Sequence, residues 1–400
     1  MASSGPSALV QPLRADVDRR APGSAEAAQR ALADFGAEML RLVGGAEADT
    51  ALSPYSLATV LAMARAGALG ATGTQVDTAL GLAGTAEQGG AITAIDDAVA
   101  ASVATTAATK DPMIVEAANQ VWIQQGLEVQ PDYLAALAEQ FGVDAVAAAF
   151  ASDPEAVRTA INAWVAERTR DLIDELFPAG SIDSDTLLVL VNALYLKASW
   201  RTPFQPGTTA QPFTTAAGAT KDVTLMTAGA PVSGRQGEGW VSARVGYIGP
   251  GLAMTILVPD AGGFAAAVEQ LDAATMADAG QTAGQWTLRM PKFEIRSVPD
   301  VQGAIQTMGV TDLFTPATVD LSGIAGSKGD LVATVLVHQA VVLVDENGTE
   351  AAAATGLGMS ATGMPEIAGD IVVDRPFIFW ISDTTTGAPL FLGTVTDPTG

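Results

Sequence analysis

Hydrophobic positions along the 400-residue chain recur with two periods, about 3.6 and 2, and the switching between them lays out the elements. Residues 24–45 place Leu32, Phe35, Met39 and Leu42 at helical spacing and stop at Gly44-Gly45, which predicts an amphipathic helix. A second apolar helix opens at Ser53-Pro54, where the serine suits the cap and the proline the first turn, with Ser56 just inside. Residues 83–112 and 131–141 carry further helical patterns. Asp153-Pro154-Glu155 opens a helix predicted to run to Phe177, with Ile161, Trp164, Val165, Leu172, Ile173 and Leu176 on one face and Pro178 as the stop. Residues 264–271 and 301–308 also read as helices.

Period-2 and continuous apolar runs predict strands over 117–124, 223–226, 240–245, 253–259 and 286–295, and a hairpin of 377–382 with 390–395 around the turn 383–388. Two runs stand apart. Residues 187–196 (LLVLVNALYL) are apolar on both faces, so the strand is central and Asn192 must be hydrogen-bonded in the core. Residues 331–344 (LVATVLVHQAVVLV) hold His338, the single histidine. The chain shows no internal repeats.

Residues 345–362, DENGTEAAAATGLGMSAT, are unlike the rest, being small side chains with no large anchor. As a strand they would put Thr349, Ala351, Ala353, Thr355, Leu357, Met359 and Ala361 on one face, which could be buried. The other face would carry Glu350, Ala352, Ala354, Gly356, Gly358 and Ser360, with one charge to leave in solvent. As a free loop, Gly348, Gly356, Gly358 and Gly363 keep the backbone permissive. The stretch reads as a loop able to become a strand. An alanine-rich surface helix lacks an apolar stripe for docking, and a linker is disfavoured by the roughly forty residues that follow.

Composition narrows the chemistry. With 48% hydrophobic residues a large core is available, and with no cysteine there is neither disulfide nor thiolate. The formal charge of −24 disfavours nucleic acid, heparin-like polyanions and anionic membranes. No apolar run reaches the length of a membrane span. Residues 1–23 show no signal peptide and read as a disordered leader. A Ser-His-Asp triad would need His338, which lies mid-strand without a GxSxG elbow. One histidine and scattered carboxylates make no metal site, and the GxGxxA match at 356–361 lacks its strand–turn–helix setting. An enzyme is not expected, nor a cofactor.

Six blocks resemble the serpin family in order: SPYSLATVLAMARAGALGAT, AINAWVAERT, VLVNALYLKASWRTPF, MPKFEI, VHQAVVLVDENGTEAAAAT and DRPFIFWISDTTTGAPLFLGTVTDP, together spanning about residues 25–398. The resemblance implies a single α+β domain of the serpin fold over 24–400, with three β-sheets, about nine helices and an exposed reactive-centre loop over about 346–370. It implies a monomeric suicide inhibitor of serine proteases, and the net charge of −24 argues that no heparin-like cofactor takes part. A covalent complex forms at the cut loop, which then inserts into the main sheet.

Carried over by motif, the resemblance makes Ser53, Ser56, Asn192 and His338 the shutter where two central strands part. Trp200, Lys292 and Glu346 become the breach where the loop first enters. Glu346, Gly348, Thr349, Glu350, Ala351, Ala352, Ala353 and Ala354 form the hinge, with Thr349 exposed at rest and first to insert. The helix opened by Asp153 is expected across the main sheet. Counting from Gly348 and back from Pro376 places the reactive bond between Thr362 and Gly363, with Met359 and Met364 as alternatives. Departures from the family pattern are Asn347 for an acid, Gln339 for a base, Leu343 for an acid and Ala198 for a glycine. No Arg or Lys lies between Glu346 and Asp374, so elastase-like or subtilisin-like targets are expected and trypsin-like ones are not. The alternative is a non-inhibitory member: chaperone, carrier or mere substrate. The missing signal points to the cytoplasm and the family to the extracellular space.

Overall fold

A computed structural model describes residues 9–350 and 366–399. Its main sheet has seven strands in the order Val10–Leu13, Ala145–Ala148, Ile114–Gln124, Leu188–Ser199, Gly348–Thr349, Val335–Val344 and Phe293–Ser297. The Leu188–Ser199 strand sits at its centre because both its faces are apolar. Leu188, Leu190, Leu194 and Leu196 join the large core shared with the Pro54–Arg65 helix and the C-terminal hairpin. Val189, Val191 and Ala193 meet Val157, Ile161 and Val165 of the Pro154–Arg168 helix, which therefore lies across the outer face as expected.

The two central strands are joined along only part of their length. Val335–Gln339 pair in parallel with Val189–Ala193, and near the other end Gly348–Thr349 lie between Val344 and Ala198-Ser199, antiparallel to both. The sheet is thus closed at one end and wedged at the other.

Nine α-helices occur among the described residues. Their strands form two hydrogen-bonded networks instead of three separate sheets. The cause is the Gly284–Pro291 strand. Its first three residues pair with Val232–Gly234, while Arg289–Pro291 pair with Leu225–Thr227, so one strand stitches two sheets together. The predicted strand over 286–295 is also two elements, since the chain breaks at Lys292 and Phe293–Ser297 crosses into the main sheet.

The helix predicted to Phe177 ends at Arg168. Arg170 and Asp171 adopt left-handed φ of 52° and 62°, and the chain folds back under the same face. Asn162 holds that return: its Oδ1 accepts from the Leu176 and Phe177 N–H groups, and its Nδ2 donates to the Phe177 carbonyl. Ile173, Leu176 and Phe177 thus reach the same cluster as Val157 and Ile161, so the apolar spacing persists without a helix.

Within the supposed leader, Val10–Leu13 form an edge strand on Ala145–Ala148, which corrects the disordered reading there. The segment covers an edge that would otherwise leave backbone groups unpaired. Arg14–Asp144, Arg19–Asp96 and Arg20–Glu139 ion pairs fasten it. No described helix is long and apolar enough to cross a membrane.

Asn162→Ala should strand the buried Leu176 and Phe177 N–H groups, while the Phe177 carbonyl keeps its hydrogen bond from Arg158 Nη1. Unpaired buried groups cost about 1–3 kcal/mol each at most. The expected loss is about 2–3 kcal/mol, read as a fall of several degrees in thermal unfolding, while a surface Thr159→Ala control should stay within about 0.5 kcal/mol.

Candidate functional site

Three strands each contribute one polar side chain to a single row. Asn119 stands opposite Asn192, and Asn192 beside His338, by strand register. All face the start of the Pro54–Arg65 helix, where Ser53 caps the helix through its Oγ and the Ser56 N–H at 3.1 Å. The Ser53 backbone N–H donates to His338 Nε2 at 3.0 Å, so Nε2 carries the lone pair and Nδ1 carries the proton. His338 Nδ1 then donates to Asn192 Oδ1 at 2.7 Å. Asn192 Nδ2 donates to Ser56 Oγ at 2.7 Å and to Asn119 Oδ1 at 2.8 Å, and Ser56 Oγ donates to Asn119 Oδ1 at 3.1 Å.

Ser53, Ser56, Asn192 and His338 therefore meet in one fully buried cluster, as the sequence predicts. Asn119 was missed. Its signal was its parity: with Val121 and Ile123 it faces the large core, where an asparagine needs partners. Burial lowers the His338 pKa from 6.5 to about 3, and protonation would also remove the lone pair that Ser53 uses.

The second cluster surrounds the wedge. The Trp200 N–H donates to the Asn347 carbonyl at 2.7 Å, its Nε1 to the Asp345 carbonyl at 2.9 Å, and the Phe204 N–H to the Glu346 carbonyl at 2.8 Å. Lys292 Nζ lies 3.0 Å from Glu346 Oε1, with the lysine half exposed. Trp200, Lys292 and Glu346 are thus brought together. The departure at Asn347 is tolerated because its contact with Trp200 uses the backbone. Gly348 admits no side chain, since a Cβ there would lie 2.2 Å from the Ala198 carbonyl oxygen and 2.7 Å from Ser199 Cα.

Thr349 overturns one expectation. It is 3% exposed instead of lying in solvent, and its Oγ1 shares a 2.7 Å hydrogen bond with Tyr247 Oη. Tyr247 stacks on Trp200 with centroids 4.5 Å apart. Tyr247 follows the predicted 240–245 strand, where nothing in the sequence marks it as a partner. A buried donor at the wedge is what draws a threonine in.

Glu350 ends the pairing with a left-handed φ of 51°. It lines a cavity of about 690 Å³ with Arg170, Tyr195, Lys197 and Leu343. Burial raises the Glu350 pKa above the usual carboxylate range, although Tyr195, Lys197, Arg170 and Arg296 oppose this, and its Oε2 lacks a hydrogen-bond partner. Burial and the Glu350 carboxylate push Tyr195 up to about 12. Ala351, Ala352, Ala353, Ala354, Met359, Thr362, Gly363 and Met364 lie outside the described residues.

A sheet parted around a two-residue strand, above a buried polar row, matches one class of protein. A family model described as serpin (serine protease inhibitor) matches residues 30–398. Serpin-Z2A of Oryza sativa subsp. japonica is 33% identical over 392 residues, covering 87% of this chain and 91% of its own. The leukocyte elastase inhibitor of Bos taurus is 33% identical over 371 residues, covering 87% and 92%. Among solved structures, the thermophilic serpin tengpin in its native state aligns with a TM-score of 0.82 at 23% identity, covering 96% and 97%. Arabidopsis AtSerpin1 in its native stressed conformation gives 0.81 at 24%, covering 95% and 100%. The chain belongs to the serpin family, a family of serine protease inhibitors.

The buried imidazole makes stability depend on pH. Its folded pKa lies below the unfolded one, so as pH falls below 6.5 the unfolded chain takes up a proton that the folded chain refuses. This contribution is full above 6.5 and is lost toward about 3, at up to about 1.4 kcal/mol per pH unit. Chemical unfolding of wild type and His338→Gln across that range should show the wild type losing its advantage steadily on the acid side. Parallel curves would contradict the assignment.

Proposed function

We propose that this serpin is an inhibitory, suicide-type member that traps serine proteases by inserting its cut loop into the main sheet. The observation that carries the reading is the wedge: Gly348-Thr349 already occupy the first place of an added strand between Val344 and Ala198-Ser199. The protease serine attacks the carbonyl of Thr362, an acyl ester forms, and the chain is freed at the Gly363 amine. Residues beyond Thr349 then follow it between the central strands. About fourteen residues at about 3.3 Å each carry the acyl end roughly 45 Å. The small or apolar side chains at 351, 353, 355, 357, 359 and 361 suit this burial.

In this reading Ser53, Ser56, Asn192 and His338, with Asn119, act as the shutter, because an advancing strand must part the pairing that they bridge. Trp200, Lys292 and Glu346 act as the breach. The Lys292–Glu346 pair, half exposed on one side, is worth at most about 1 kcal/mol by itself and acts through its position. Ser360-Ala361-Thr362 suit a shallow specificity pocket, and the similarity to a leukocyte elastase inhibitor supports elastase-like targets. Without Arg or Lys near the bond, a trypsin-like pocket has nothing to grip.

Mixing with elastase-, subtilisin- and trypsin-like proteases should give a denaturation-resistant complex with the first two classes, and mass spectrometry of the denatured mixture should find a C-terminal fragment beginning at Gly363. A productive cut elsewhere, with the complex still formed, would move the bond to Met359 or Met364.

Thr349→Arg tests the mechanism. Because Thr349 is buried at rest, the guanidinium must either break the Tyr247 seat or leave the wedge, and it resists burial again during insertion. The resting protein should lose thermal stability. Insertion slowed by about 3 kcal/mol of barrier is slower by more than a hundredfold. The variant should be cut at the same bond but turned over as a substrate, seen as a steep rise in inhibitor consumed per protease trapped. Trapping equal to wild type would sink the insertion mechanism.

A further inference from the structure

Four asparagines occur in the chain, and only Asn347 is followed by glycine. The other three, Asn119, Asn162 and Asn192, are buried and precede Gln or Ala. Asparagine followed by glycine is chemically labile, because no side chain obstructs the glycine nitrogen from reaching the asparagine carboxamide. Here the glycine is compelled: any Cβ at 348 would strike the Ala198 backbone. The constraint that seats the wedge therefore also creates the labile pair.

The surroundings complete the chemistry. Asp345 Oδ1 accepts from the Asn347 N–H at 2.7 Å and from the Gly348 N–H at 3.1 Å. A carboxylate oxygen is thus within reach of the proton that the nucleophilic nitrogen must give up. The Asn347 carboxamide nitrogen lies 3.5 Å from Asp345 Oδ2, which holds the group on the same side. Asn347 is itself half-buried, so water can follow.

We infer that Asn347 is a site of spontaneous deamidation, a self-modification that alters the wedge. The Gly348 nitrogen forms a bond to Asn347 Cγ and passes its proton to Asp345. Asp345 then gives that proton to the amide nitrogen, the bond from Cγ to that nitrogen breaks and ammonia leaves, giving a cyclic imide. Water then opens the ring at either carbonyl, yielding aspartate or isoaspartate, and no redox partner is needed.

The two products act differently on the wedge. Aspartate keeps the main chain but sets a third consecutive acid beside Asp345 and Glu346. Isoaspartate reroutes the main chain through the side-chain carbon, adding one methylene between the Trp200 contact at 347 and the seat of Thr349. A Gly348 packed against Ala198 and Ser199 has no room for that extra length, so Thr349 leaves its place against Tyr247.

The test ages the intact folded protein in mildly alkaline buffer beside Asn347→Gln, which keeps a carboxamide but cyclises far more slowly. Peptide mapping with isoaspartate-specific methylation should find aspartate and isoaspartate at 347 in the wild type, with ammonia released, and none in Asn347→Gln. An Asn347 that stays intact in the folded protein while the denatured chain deamidates would overturn the site. So would equal modification of Asn119, Asn162 and Asn192. The consequence for trapping rests on the inhibitory reading and is read separately: complex yield should fall as isoaspartate accumulates, and aged Asn347→Gln should keep its yield. Full trapping by isoaspartate-bearing protein would overturn the effect on the wedge. Fresh protein that traps no protease would refute the inhibitory reading alone, leaving the chemical result to stand.

Discussion

One hydrogen bond ties the two central strands of the main sheet side chain to side chain: the 2.7 Å contact from His338 Nδ1 to Asn192 Oδ1. It crosses the short stretch where the two central strands are directly paired. The bond is directional because Ser53 fixes the tautomer from the other side of the ring. It cannot be given up in isolation. Parting those strands leaves a buried imidazole N–H and an amide oxygen without partners, each costing about 1–3 kcal/mol unless replaced at once. Apolar residues at the same positions would bind the strands less specifically and part more smoothly. The polar row therefore adds a cost to parting those strands that an apolar row would not.

The wedged end follows different physics. There the chain is held by backbone contacts from Trp200 and Phe204, a half-exposed ion pair, and one threonine hydroxyl seated on a tyrosine. None is strong alone, and the unpaired Glu350 oxygen shows that accommodation is incomplete. A tight lower junction and a loosely filled upper one leave the sheet asymmetric.

Much of this was legible in the chain. Asn192 and His338 announced themselves as polar residues in runs otherwise free of polarity, and burial obliged them to find partners. Asn119 did not, because its neighbour Gln120 makes the strand look half-exposed. The Asp153 helix was read too long because its apolar spacing continues past Arg168, and only the Asn162 side chain reveals the fold-back. The 286–295 run concealed a change of sheet at Lys292, since alternation is the same on both sides. Val10–Leu13 are too short to declare a strand, and the edge that they cover is far away in sequence. Nothing in the sequence points Thr349 inward, because its partner, Tyr247, lies beyond the end of any pattern. In each case the local signal was true and the deciding contact was distant.

The strand Gly284–Pro291, shared between two sheets, also holds Ile367–Val372 in parallel register. Downstream of that stretch the chain enters a buried hairpin paired with Leu252–Leu257 on one side and Thr50–Leu52 on the other. A backbone break anywhere between residues 350 and 366 would therefore release nothing. The terminal piece is laced into the body by three sets of cross-strand bonds, enough to hold a nicked molecule together as a single particle. Covalent continuity and physical integrity are separate properties here, and one can be lost silently while the other persists.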